Sequence, residues 1–146
     1  MARVLIVDND PDHLAAVTYQ LRRQFDRSII IDTANYAVLA VLLAQTHGYD
    51  AILLKLFLPE RLRLPFLGQL RRLQLQAHIV VIGGVNPQKD SVEAGHLDGV
   101  RWMSHPLDFG QLWTVMASLY HTRSVRHQAK KRRRSNGITF YRSLPF

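Results

Sequence analysis

Residues 49–60 read YDAILLKLFLPE, and in this stretch an unbroken apolar run ends at a cation. Four apolar residues, 51–54, precede Lys55, and Pro59 follows a second short apolar run. A continuous apolar run of strand length is typical of a strand buried on both faces, as in a parallel sheet. Lys55 therefore marks the end of a buried strand, where an ammonium group needs a partner or a path to solvent.

Four further runs of strand length accompany this one: RVLIVD (3–8), SIIID (28–32), HIVVIG (78–83) and GVRWMS (99–104). Segments with the apolar spacing of helices lie between them. The first begins at Pro11, the second ends before Gly48, and the third covers 66–73; a short polar fourth covers 87–95, and a fifth starts near Asp108. Five strand–helix units in succession predict an α/β domain, namely a doubly wound five-stranded parallel sheet.

The net charge of the chain is concentrated at its C-terminal end. Residues 1–121 contain 11 Lys and Arg and 11 Asp and Glu, whereas residues 122–146 contain 8 Lys and Arg and no acidic residue. This segment therefore accounts for the whole net charge of +8. We predict one α/β domain over residues 1–121 and a basic C-terminal extension over residues 122–146.

Composition also limits the compartment. The chain contains no cysteine, so disulfides and thiolate metal sites are excluded. Its first residues lack the pattern of a secretory signal, and no apolar run approaches the roughly 18 residues that span a bilayer. We expect a cytoplasmic protein with no membrane span.

The residues that follow the predicted strands are the candidates for a functional site. In a doubly wound sheet the functional crevice lies at the carboxyl ends of the strands, where the strand order reverses. The side chains predicted there are Asp8, Asn9, Lys55, Gly83 and His105. Together with their neighbours they form the blocks VLIVDNDPD, YDAILLKLFLP, HIVVIGG and RWMSHPLDFGQL. Over residues 3–121, these four blocks resemble the receiver (CheY-like) domains of two-component response regulators.

This resemblance implies a (βα)5 flavodoxin-like receiver fold and a role in two-component or phosphorelay signalling. A receiver takes a phosphoryl group on an Asp at the end of the third strand. It uses a divalent ion held by two acidic residues after the first strand, and a hydroxyl residue and a Lys contact the phosphoryl oxygens. The ion and the Lys are needed because charge must be neutralised on the transferring group.

The chain departs from that pattern at four positions. By resemblance, the acceptor Asp is replaced by Lys55, one member of the acidic pair by Asn9, the hydroxyl residue by Gly83 and the Lys by His105, while Asp8 remains. An ammonium group cannot form the acyl phosphate, and it repels a metal ion. We therefore expect a degenerate pseudo-receiver that is not an enzyme and that uses no metal and no other cofactor.

A partner for Lys55 is available in the same crevice. We hypothesise that its ammonium group pairs with Asp8, and with Asp10 as a further candidate, so that the site is neutralised internally. The alternative is that Lys55 extends to solvent without a fixed partner.

The run DNDPD (8–12) resembles the start of a calcium loop, but His13 and Tyr19 occupy the positions that need Gly and Glu. Asp10 and Asp12 are instead typical of the start of a helix.

Two other positions have more than one interpretation. Trp102 falls where receivers keep an aromatic residue that changes rotamer on switching, but Gly83 removes the hydroxyl that would be coupled to it. We therefore interpret Trp102 as a constitutive surface anchor, at a possible interface, or as a packed core residue. His105 is compatible with a phosphorylated or metal-binding residue, but the histidines show no ligand spacing such as HExxH, so we interpret it as a replaced crevice residue.

The basic extension contains five consecutive cations: Lys130, Lys131, Arg132, Arg133 and Arg134. Such a run favours an open, solvated chain and binds nucleic acid or another polyanion with a strong dependence on salt. It is followed by residues 138–146, whose alternating apolar side chains are typical of a half-buried strand. This segment is compatible with docking onto a protein surface or with stacking of aromatic side chains on bases, and we favour docking.

Three classes of function are compatible with the sequence. The first, which we favour, is a phosphorylation-independent receiver-like module that acts through protein partners, with a possible homodimer through the face of the fourth helix, fifth strand and fifth helix. The second is a nucleic-acid or polyanion-binding accessory protein that acts through its basic tail. The third is a phosphoacceptor that uses an atypical residue, which the four replacements disfavour.

Overall fold

Five parallel strands form the centre of the structure, a computed structural model that describes residues 2–25, 28–55, 57–83, 99–103 and 107–117. The strands and helices, in chain order, are β1 (Ala2–Val7), α1 (Pro11–Phe25), β2 (Ile29–Ala34), α2 (Ala37–Thr46), β3 (Ala51–Lys55), α3 (Glu60–Leu73), β4 (His78–Ile82) and β5 (Val100–Met103). Residues 109–117 are also helical. The strand order is β2-β1-β3-β4-β5, and every pairing is parallel.

Each interior strand is buried on both faces, which explains its continuous apolar sequence. One face of the sheet packs against α2 and α3, where Leu5, Ile52 and Ile79 join Ala40 and Leu67 in one core cluster. The opposite face packs against α1 and the helix at residues 109–117, in a second cluster. Helices therefore cover both faces, and the predicted doubly wound α/β fold is confirmed.

The predicted boundaries agree with the structure to within a few residues. β2 extends to Ala34 rather than ending at Asp32, because Thr33 and Ala34 remain in register with the last residues of β1. α3 begins at Glu60, directly after Pro59, and continues past Pro65. The predicted fourth helix (87–95) and the basic extension (122–146) lie outside the described residues. Within the described part of the chain, no helix has both the length and the apolar character needed to cross a lipid bilayer.

A polar network, which the sequence did not reveal, joins β1, β2 and the start of β3. Nε of Arg3 and the hydroxyl of Tyr49 both donate to Oδ2 of Asp32, over 2.8 and 2.7 Å. Burial alone would raise the pKa of Asp32, but the hydrogen bonds from Arg3 and Tyr49 together lower it. The pKa of Tyr49 is raised, first by burial and then by the hydrogen bond to Asp32.

Gln74 completes the packing at the same end of the sheet. Its Oε1 accepts the backbone N–H of Tyr49 over 2.9 Å, and its Nε2 donates to the carbonyls of Ala44 and His47 over 2.7 and 2.6 Å. One buried amide thus satisfies carbonyls at the end of α2 and a backbone donor before β3. These contacts lie near the amino-terminal end of β3, whereas the candidate crevice lies at the carboxyl ends of the strands.

Candidate functional site

The candidate site lies where β1 and β3 end side by side. β1 pairs with β2 on one side and with β3 on the other, so the order of the strands reverses at this pair. Asp8 follows β1 directly and Lys55 is the last residue of β3. Parallel pairing brings the two to the same edge of the sheet, at the point where α/β folds place their functional crevice.

Asp8 is the buried acid of this crevice, with only 2% of its surface exposed. Its backbone N–H donates to the carbonyl of Ala34 over 3.0 Å, which holds the residue against β2. Its Oδ1 accepts the backbone N–H of Asp10 over 2.9 Å, and its Oδ2 contacts Nδ1 of His13. Both carboxylate oxygens therefore have partners within the protein.

Lys55 brings a positive charge close to Oδ1 of Asp8. Its Nζ lies 3.8 Å from Oδ1 of Asp8, a separation that makes an ion pair but is too long for a direct hydrogen bond. About a third of the Lys55 side chain is exposed, against almost none of the Asp8 side chain. The ammonium group thus faces Asp8 and also reaches the crevice surface.

His13 is the residue of this site that the sequence analysis missed. In the sequence it stands out only as the residue at the Gly position of a calcium loop. In the structure its ring contacts Oδ2 of Asp8. The first turn of α1 brings it there, because residues in that turn lie above the end of the strand that leads into the helix. The sequence feature that indicates this contact is the position of His13, five residues after the acid at the strand end and in the first turn of a helix that starts at Pro11.

Asp10 has the structural role that the sequence favoured rather than a role in pairing with Lys55. Its Oδ1 accepts the backbone N–H groups of Asp12 and His13, over 3.0 and 3.4 Å, at the start of α1. This is the geometry of an N-cap, which satisfies two donors that have no partner within the helix. Asp10 and Asp12 are both exposed, so their charges face water rather than the crevice.

The remaining predicted site residues differ in how the structure places them. Asn9 is exposed beside Asp8. Gly83 follows β4 with a φ of 77°, and its N–H donates to the carbonyl of Met103 over 2.8 Å. Trp102 is partly buried and packs against the core cluster on the α2 and α3 face, as expected for a packed residue. His105 and the basic run at residues 130–134 lie outside the described residues.

The surroundings of Asp8 do not suit a divalent metal ion. Such an ion takes several oxygen ligands, often from two or more carboxylates. Here the buried carboxylate of Asp8 already contacts an imidazole and a backbone N–H, and an ammonium group stands 3.8 Å from it. Among the described residues, no group of three or more His, Cys, Asp and Glu side chains could hold a metal ion. The arrangement therefore neutralises a buried charge with groups of the protein itself.

No model of a protein family matches the chain, and no curated protein matches it either. Solved structures do. A two-component response regulator from Clostridium difficile is 21% identical, with a TM-score of 0.72 over 83% of this chain and 97% of the other.

A response regulator from Burkholderia pseudomallei, whose structure contains a phosphorylated aspartic acid and a calcium ion, is also 21% identical, with a TM-score of 0.67 over 90% of this chain and 73% of the other. An adenylate cyclase from Rhodopirellula baltica is 15% identical, with a TM-score of 0.65 over 88% and 96%. At these identities the likeness establishes the fold: the chain has the architecture of CheY-like receiver domains.

Proposed function

We propose that the chain is a phosphorylation-independent, receiver-like module of a two-component-type regulatory system, and that it acts through contacts with protein partners. The observation that carries this proposal is the position of Lys55, at the end of β3 and within 3.8 Å of the buried Asp8. The likeness of the fold to those of response regulators supports a role in signalling, and the chemistry of the crevice supports a role without phosphotransfer.

Phosphotransfer to an aspartate needs a carboxylate nucleophile and positive charge that stabilises the transferring group. The side chain at the end of β3 is the amine of Lys55, which cannot form the acyl phosphate that the acceptor Asp of a receiver forms. Next to the neighbouring carboxylate, Asp8, stands the Lys55 ammonium group, 3.8 Å away, where a metal ion would need a further oxygen ligand, and His13 and the N–H of Asp10 also contact the oxygens of Asp8. These contacts support a module that does not receive a phosphoryl group.

Internal neutralisation also has a consequence for conformation. In a switching site, the arrival of charge favours one state over another through its differential interactions with the two. In this chain a cation of the protein itself stands beside the buried acid. A site whose charge is always balanced favours one conformation continuously, so the module would present a constant surface to its partners, in the cytoplasm, without enzymatic activity.

The partner surface that we propose from the sequence includes the fifth strand and the helix after it. Trp102 on β5 is partly buried, and Phe109 and Trp113 of the helix at residues 109–117 pack together with ring centroids 5.6 Å apart. The fourth helix of that face lies outside the described residues. A homodimer through this face stays a prediction from the sequence.

The decisive experiment exposes the full chain to acetyl phosphate and magnesium and measures its intact mass, with a receiver that retains the acceptor Asp as a positive control. NMR spectra with magnesium and beryllofluoride, a mimic of the phosphoryl group, provide the second measurement. We expect no added mass and no shifts at Asp8 or Lys55. A stoichiometric phosphoryl adduct, or saturable shifts at these residues, would overturn the proposal.

The basic extension favours a second function, binding of nucleic acid or another polyanion. The supporting observation is that residues 122–146 hold all of the net charge of +8. Replacing the five cations at positions 130–134 with Gln in the full chain should weaken nucleic-acid binding and flatten its dependence on salt. Equal affinity and equal salt dependence in both chains would exclude this function.

A further inference from the structure

α2 presents apolar side chains outward as well as inward. Val38 and Leu42, one turn apart, are 65% and 52% exposed, while Ala40 and Ala44 are buried against the sheet. Residues 33–49 contain no Lys, Arg, Asp or Glu, so the helix itself contributes no charged side chain to its outer side. A helix that is apolar all round is typical of a helix covered on both sides. Its outer side is therefore an unoccupied contact surface within the described structure.

β2 provides a second open surface at the same edge of the molecule. It is the first strand of the sheet order, and among the described strands it pairs only with β1. Ile30 is 38% exposed and alternates with Asp32 and Ala34, on the face that packs against α2. The carboxylate of Asp32 is held inward by Arg3 and Tyr49. Residues 28–36 contain no Lys and no Pro, two residues that commonly protect an edge strand.

The opposite edge of the described sheet, formed by β5, differs in the length of its strand and in its charge. β5 is four residues long, against six for β2, and it carries the exposed Arg101. A short edge strand with an exposed cation is the usual protection against pairing with another chain. The open edge is therefore specific to β2 and is not a general property of this sheet.

We infer that β2 and α2 form the interface of a homodimer, in which β2 of one copy pairs antiparallel with β2 of the other and the two α2 helices meet on one face. A two-fold interface brings the same surface of both copies together, so it must be complementary to itself. An uncharged apolar helix meets its own copy without repulsion between like charges. The unpaired backbone groups along one β2 edge would be satisfied by those of the other.

The size of the surface fits this occupant. Six strand residues are about 20 Å long and a ten-residue helix about 15 Å. A face that covers both elements measures several hundred Å², of the order of the roughly 800 Å² that stable interfaces bury on each copy and of the minimum of about 500 Å². The inference does not depend on the proposed function. It also differs from the predicted homodimer face, which includes β5 at the opposite edge of the sheet.

Sedimentation equilibrium of the full chain, from about 1 μM to about 1 mM, tests the inference. We expect a reversible monomer–dimer equilibrium. Val38→Lys and Leu42→Lys should each weaken it by about tenfold or more, since each places two cations at an apolar contact. Leu75→Lys is the matched control, because Leu75 is 72% exposed but lies in the turn before β4, away from β2. Circular dichroism verifies that each variant is folded.

Two further measurements separate this interface from any other. A mixture of Leu42→Lys and Leu42→Glu chains should dimerise more tightly than either chain alone, because opposite charges then meet. Amide hydrogen exchange in β2 should be slower in the wild-type dimer than in Leu42→Lys at the same concentration. A wild-type chain that stays monomeric throughout the range, or a dimer unaffected by Val38→Lys and Leu42→Lys, would overturn the inference.

Discussion

Nζ of Lys55 lies 3.8 Å from Oδ1 of Asp8, so the crevice of this receiver-type fold contains a cation of the protein beside its buried acid. The pair joins the ends of two neighbouring strands, and His13 contacts the second carboxylate oxygen from α1. Groups from β3 and α1 thus meet at one buried carboxylate at the end of β1.

Lys55→Asp should reverse the electrostatics of the crevice. A second carboxylate beside Asp8 adds repulsion where an ion pair stood, so we expect the free energy of unfolding to fall by about 1–2 kcal/mol without divalent ions. Two neighbouring carboxylates are ligands that Mg²⁺ accepts, so added Mg²⁺ should restore part of the loss. Urea unfolding with and without Mg²⁺ measures both effects.

Lys55→Asn is the control for that change, because it removes the cation without adding a carboxylate. We expect a smaller loss of stability and no response to Mg²⁺ from this variant. If Lys55→Asp is as stable as the wild type and does not respond to Mg²⁺, Lys55 is not neutralising Asp8.

His13→Ala should destabilise the fold by about 1–3 kcal/mol, because it leaves one oxygen of a buried carboxylate without its partner. A double-mutant cycle with Asp8→Asn isolates this contact from the other interactions of the imidazole. We expect a coupling energy of about 1 kcal/mol or more between the two positions. Additive effects, within about 0.5 kcal/mol, would show that the contact contributes nothing to stability.

The difference between what the sequence predicted and what it missed has a physical basis. Continuous apolar runs such as those of β1 and β3 are typical of buried strands. The positions of the strands, their parallel direction and the place of Lys55 at a strand end could therefore be predicted from the local pattern. The contact of His13 with Asp8, and that of Tyr49 with Asp32, depend on how a helix or a loop returns over the sheet. Tertiary placement sets such polar contacts, and no periodicity in the chain encodes it.

The network of Asp32 gives the stability a defined dependence on acid. Because the pKa of Asp32 is lower in the folded chain, the unfolded chain takes up its proton more readily. Its contribution is complete above the unfolded pKa of about 3.9 and is lost as the pH falls through the folded pKa. Urea unfolding at a series of pH values should therefore show a smaller acid-induced loss in Asp32→Asn than in the wild type. Equal losses would exclude a role for Asp32.

Tyr49 gives the opposite dependence at high pH. Its pKa is raised in the folded chain, so its contribution is complete below the unfolded value of about 10 and is lost as the pH rises above it. Tyr49→Phe should cost about 1 kcal/mol at neutral pH, through the lost hydrogen bond to Asp32, and should reduce the loss of stability in alkali. An unchanged alkaline profile in this variant would contradict the assignment.

Gly99→Ala should destabilise the start of β5. Gly99 has a φ of 73°, in the region where residues with a Cβ are strained, and its carbonyl accepts the N–H of Ile79 over 3.0 Å. An added Cβ would also lie 2.9 Å from Nη1 of Arg71, whose guanidinium group donates to the carbonyl of Gln74 over 2.8 Å. We expect a loss of about 1–3 kcal/mol in the free energy of unfolding, measured in urea.

Gly68→Ala is the matched control for this substitution. Gly68 lies within α3, and its added Cβ would meet only the end of the Arg72 side chain, at 3.4 Å. Because Ala favours a helix over Gly by about 1 kcal/mol, this variant should be as stable as the wild type or more stable. If both variants lose stability equally, the crowding at Gly68 is as costly as the strain at Gly99. If neither does, the chain at Gly99 relaxes to accept a side chain, and its left-handed conformation does not fix the entry into β5.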